Sequence, residues 1–123
     1  MPKNPASRLS PCPKTPNCVS TLAPSGSQHM DPIPYKGSVE QARQRLLSAL
    51  RGFERMSIVE EGPDYIHAEF RSRVFRFVDD VELVVDDQAK LVHFRSASRT
   101  GRYDWKVNRE RMEKLRRDFM GQR

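Results

Sequence analysis

Cysteine is scarce in this chain: Cys12 and Cys18 are the only two in 123 residues. They frame CPKTPNC, a CxxxxxC spacing, whereas zinc centres use CxxC pairs backed by a second pair or by histidines. Only His29 lies near, so no metal is expected. Aromatic residues amount to 8% and fall mostly on apolar faces, which leaves few for stacking on bases. No apolar run reaches the length that spans a bilayer. No apolar segment follows the opening MPKNPASRLSPCPK, so the expectation is a cytoplasmic protein without a signal peptide. Proline nearly disappears after residue 37, since eight of the nine lie in residues 1–37. Acidic residues are thin at the other end. Residues 95–123 hold ten Lys/Arg and four Asp/Glu, while residues 1–94 balance at twelve each, so the whole net charge of +6 sits in the last quarter. That asymmetry fits either an anionic partner or a solvated basic helix face.

The length fits one domain. Residues 1–37 read as a Pro-rich arm without a packed element, anchored to the rest by its two thiols. Residues 38–123 read as a single α+β domain. Ser38-Val39-Glu40-Gln41 fits a capping box. Val39, Ala42, Leu46, Ala49, Leu50 and Phe53 then recur at helical spacing, and Gly52 suits the end. The period next changes to two. Met56 and Ile58 mark a short strand, and Ile66, Ala68 and Phe70 the buried face of a second. Phe75, Phe77, Val81, Leu83 and Val85 share one parity in a third, interrupted by Asp79, and Val92 and Phe94 mark a fourth. Asp104 is a good N-cap for a last helix with the stripe Trp105, Met112, Leu115 and Phe119. Asn108 falls on that stripe, so it must find partners there. Short links favour an antiparallel sheet of about four strands with both helices on one face.

Three stretches, CPKTPNCVS, FVDDVEL and RSASRTGRYDWKVNRERMEKLR, in this order, resemble domain of unknown function family 1499. The resemblance covers almost the whole chain. Arg95, Ser96, Ala97, Ser98, Arg99, Gly101, Asp104, Asn108, Arg109 and Arg111 fit the family's late motif. Lys106 stands where a glycine is usual, and Tyr103 where a small residue is common. The family implies no established activity. Some relatives carry a membrane or lipoprotein segment, and exported ones could oxidise the equivalents of Cys12 and Cys18.

The candidate ligand-binding residues are Arg95, Ser96, Ser98, Arg99, Asn108 and Arg109. Arginines give forked, charge-assisted bonds to phosphate or carboxylate, and a helix start after a Gly-containing loop offers backbone N–H groups to an anion. The competing reading is an internal network in which Asp79, Asp80 and Asp104 neutralise Arg95, Arg99 and Arg109. As acid/base groups the candidates are Asp79, Asp80 and Asp104, none of them in a complete catalytic signature. Ser98 lacks a nucleophile-elbow context, and His67 and His93 lack a third metal ligand. No cofactor is expected. Lys106, Arg109, Arg111, Lys114, Arg116 and Arg117 could follow a phosphate backbone, but acids interleave them and no nucleic-acid-reading motif is present. The sequence therefore suggests a binding or interaction domain with an anion-receptive arginine cluster. An enzyme acting on a small acidic substrate, and an accessory protein contacting a partner through the Pro-rich arm, are the alternatives.

Overall fold

A computed structural model describes residues 8–13, 17–24, 26–73, 77–99 and 105–121, except for the side chain of Trp105. Phe75, Gly101, Arg102, Tyr103 and Asp104 lie outside the described residues, as does the buried role expected of Trp105. The elements run β1 (Cys18–Ser20), β2 (Ile33–Pro34), α1 (Val39–Arg51), β3 (Met56–Glu61), β4 (Tyr65–Arg71), β5 (Val78–Asp86), β6 (Leu91–Ser98) and α2 (Trp105–Met120).

Helix α1 starts as the capping box requires. Ser38 Oγ accepts from the Gln41 N–H at 3.1 Å, and Gln41 Oε1 accepts from the Ser38 N–H at 3.0 Å. Gly37 holds φ at +91°, and a Cβ there would collide with Gln41 Oε1. A side chain at 37 would therefore both strain the backbone and spoil the cap.

The named strands pair antiparallel in the order β1-β6-β5-β4-β3, and β2 also pairs with β6. Six strands replace the expected four, because the proline-rich segment contributes two. Val19 sits opposite Ser96, and Ile33 opposite Val92. Strands of three and two residues are too short to display a period, so composition hid them. Pro34 is tolerated because β2 lies at an edge, where a missing N–H breaks no ladder. The segment is also packed: Val19, Met30, Ile33 and Tyr35 belong to the core.

The two sheet faces differ. Ile66, Ala68, Phe70, Val81, Leu83, Val85, Val92 and Phe94 point to the helices and share one core with Leu46, Leu50, Met112, Leu115 and Phe119. Strand alternation puts Tyr65, His67, Glu69, Asp80, Glu82, His93, Arg95 and Arg99 on the other face. A register shift after Ile58 leaves Val59 as the extra residue, half exposed, and carries Glu60 opposite His67 on that outer face.

The thiols are not free. Cys12 and Cys18 form a disulfide, which corrects the expectation of two anchoring thiols. Cys18 pairs with Ala97, whose side chain faces outward. The bond thus pins residues 8–13 over the outer face, where Leu9 buries itself against Tyr65 and Val84. Arg8 lies 3.9 Å over the Tyr65 ring.

Candidate functional site

Asp79 and Asp80 are consecutive strand residues, so their carboxylates leave opposite faces of the sheet. Each anchors a separate network at the same end of β5 and β6.

On the helix side, Asp79 receives Arg111 Nη2 at 2.7 Å, with the two side chains only 13% and 12% exposed. Arg111 Nη1 donates to Asn108 Oδ1 at 2.9 Å and to Ser96 Oγ at 3.2 Å. The Ser96 hydroxyl donates to Asn108 Oδ1 at 2.7 Å. Asn108 Nδ2 donates to the Asn17 carbonyl and to Ser98 Oγ, both at 3.2 Å. Asn17 closes the circuit by donating from Nδ2 to the Ser98 carbonyl at 3.0 Å. Asn108 is wholly buried, and its amide is satisfied at both ends, as a buried amide must be. The three sequence stretches that carry the family resemblance thus meet through Asn17, Asp79 and the pair Ser96/Asn108.

On the outer face, Arg99 Nε donates to Asp80 Oδ2 at 2.7 Å, and its Nη2 reaches Glu69 Oε2 at 2.6 Å. His67 Nε2 lies 2.8 Å from Asp80 Oδ1. Burial alone would raise the Asp80 carboxyl pKa, but the bonds from Arg99 and then His67 outweigh it, and the net shift is downward. The bonds of Arg99 to Asp80 and then to Glu69 raise the Arg99 pKa. Ligand atoms of His67, Glu69 and Asp80 fall within 4.8 Å of one another. They are the described residues best grouped to hold a metal, and the Arg99 guanidinium is the cation paired with both carboxylates.

The sequence candidates therefore divide. Ser96, Ser98, Asn108 and Asp79 come together. Arg95 and Arg99 stand on the outer face with Asp80. Arg95 is 3.8 Å from Glu82. Arg109 points elsewhere, donating to the Ser27 and His29 carbonyls at 2.7 and 2.9 Å. Arg116 likewise donates to the Asp31 carbonyl. These basic residues of α2 tie down the N-terminal segment. Asp104 lies outside the described residues.

A cavity of about 590 Å³ opens beside the inner network. Its cationic wall is Arg55, Arg71, Arg111 and Lys114, against the two carboxylates Glu54 and Asp79. Phe53, Phe70, Phe77 and Val107 supply its apolar wall, and Ser98 a hydroxyl. Arg55 and Arg71 are half exposed and adjoin each other, since the Arg71 N–H donates to the Arg55 carbonyl at 3.0 Å. Arg55 adopts φ +57°, a conformation rare for a residue with a Cβ. Sequence reading missed this wall. Arg111 was within reach, lying three positions after Asn108 on one helix face. Arg55 gives no such signal, because it lies in the short link between α1 and β3, outside any periodic pattern.

No helix among the described residues is long and apolar enough to cross a membrane. Comparison with curated proteins found no match. The family described as "Protein of unknown function (DUF1499)" matches residues 8–119, nearly the whole chain, and the chain belongs to that family.

Proposed function

We propose that this is a binding domain for an anionic small molecule, held at the cavity by Arg55 and Arg71 with Arg111 and Lys114 behind them. The carrying observation is Arg55. A non-glycine residue in the left-handed region costs roughly 1–3 kcal/mol, and such strain gathers where function requires it. Lys90 is the other described non-glycine residue with positive φ. Its ammonium bonds the Gly37 carbonyl at 2.9 Å and Asp87 at 2.7 Å, so its conformation serves the fold. Among the described residues the Arg55 guanidinium has an exposed 3.3 Å pair with neighbouring Glu54, an interaction of little weight. A strained, half-exposed cation beside Arg71, whose own pair with Glu69 is a half-exposed 3.3 Å contact, suits a ligand of opposite charge.

Catalysis is the weaker reading. A general acid or base works best with a pKa near the operating pH, and Asp80 is held low. For the accessory-protein alternative, in which the Pro-rich arm is the contact, the arm's β1 and β2 are already committed to β6. The disulfide supports a further point, that the protein resides in an oxidising compartment rather than the cytoplasm.

The test is thermal denaturation with phosphate, sulfate, acetate, a sugar phosphate and an acyl carboxylate at fixed ionic strength. A ligand at about a hundred times its Kd adds about 2.7 kcal/mol, a readily visible shift. At least one anion should give a saturable rise, and the rise should vanish in R55G/R71A. Replacing Arg55 by glycine relieves backbone strain, so the variant folds. Equal shifts in wild type and variant would sink the proposal.

A further inference from the structure

We infer that the ligand of this cavity is an amphiphile, with one anionic head on an apolar body. This rests on the anion-binding reading above and narrows it. A volume of about 590 Å³ falls within the range of roughly 300–1,000 Å³ usual for small-molecule sites. It far exceeds what an inorganic anion fills.

Two of the four cations of the wall sit over its rings. Phe53 and Phe70 meet edge to face, with centroids 5.2 Å apart and planes at 88°. The Lys114 ammonium lies 4.4 Å from the Phe53 centroid, and the Arg111 guanidinium 4.7 Å from that of Phe70. Cations held over ring faces keep their positions without long free side chains. Cationic and apolar surface are therefore fixed side by side before any ligand arrives. A purely ionic ligand would leave Phe53, Phe77 and Val107 wet. A purely apolar one would displace water from Arg55 and Arg71 without replacing its hydrogen bonds. An acyl or aryl carboxylate or phosphate meets both demands.

Val107 marks the apolar rim. It is 41% exposed on the first turn of α2 and lines the cavity. A carboxylate there would oppose an anionic amphiphile. It would also favour the helix, because an acid near a helix N-terminus is stabilising. Lost binding in V107D is therefore not lost folding.

The experiment is titration calorimetry of the intact, oxidised protein with decanoate, acetate, phosphate and decanol, with decanoate and decanol kept below aggregation. Decanoate should bind at least about tenfold more tightly than acetate, since each buried methylene adds several-fold. It should also bind more tightly than phosphate or decanol, weaken several-fold in V107D, and lose binding in R55G/R71A. Phosphate binding as tightly as decanoate, with both lost in R55G/R71A, would overturn the amphiphile and leave the anion site standing. Equal binding of decanol and decanoate, or no binding of any probe, would overturn both.

Discussion

Replacing Asn108 by alanine tests the inner network most directly. The wild-type side chain is fully buried and its hydrogen bonds include four to the described residues Ser96, Arg111, Asn17 and Ser98. Alanine removes all four at once. The Ser98 hydroxyl can turn to another partner, and Arg111 keeps Asp79 and Ser96. The Asn17 carbonyl keeps the Ser98 N–H at 2.9 Å but loses its second donor, and the Ser96 hydroxyl loses its acceptor. Each buried polar group left short costs about 1–3 kcal/mol. Two such groups and a side-chain-sized void together come to about 3–5 kcal/mol. Against a total of about 5–15 kcal/mol, that is a large fraction. For a domain of this size it lowers Tm by roughly 10–20 °C. Urea denaturation followed by circular dichroism reads the same quantity as a fall in midpoint at constant slope. N108D is the companion variant. It keeps the shape and the bonds from Ser96 and Arg111, but sets an oxygen against the Asn17 carbonyl. Its loss should be intermediate. If N108A melts within a few degrees of wild type, the network is not a structural lock, and placing Asn108 at its centre is wrong.

Two further outcomes are expected. The C12S/C18S protein should lose about 2 kcal/mol in chemical denaturation, as for a short disulfide loop, and reductant should bring wild type to the same midpoint. Quantitative alkylation of native protein before any reduction would contradict the bond. The Asp80 carboxyl, depressed in the folded state, contributes stability above its unfolded pKa of about 3.9 that is lost as pH falls through the folded value. R99A should move the Asp80 pKa upward by NMR titration and bring acid unfolding to higher pH. An unmoved Asp80 titration would remove Arg99 from the pair.

Much of this arrangement was legible in the chain, and what was not has physical causes. The capping box at Ser38 and the alternation from Tyr65 to Ser98 depend on neighbours close in sequence, so they read directly. The same alternation separates Arg95 and Arg99 from Ser96 and Ser98, because consecutive strand residues face opposite ways. A cluster in sequence is thereby split across a sheet, and grouping these residues as one site overlooked their own parity. The partners of Arg109 are backbone carbonyls some eighty residues earlier, which leave no mark in composition. The strands at Cys18 and Ile33 are held by β6 rather than by any pattern of their own. The disulfide depended on chain placement over the outer face, which spacing alone could not fix.

Strand β6 has consequences for how the chain assembles. Its hydrogen bonds on one side go to β5, its immediate predecessor, and on the other to Cys18–Ser20 and Ile33–Pro34. Asn108 reaches back 91 positions to Asn17. The Cys18–Pro34 segment therefore has nothing to pair with until β6 and α2 exist. Closing so long a loop is entropically slow. The β3–β6 meander and α1 can form earlier from local contacts, leaving one side of β6 as a bare strand edge. During that interval the edge is open to any extended chain, including the same strand of another molecule. The proline-rich N-terminal stretch is thus a built-in edge cover that arrives last, and shortening it should cost solubility before it costs the fold.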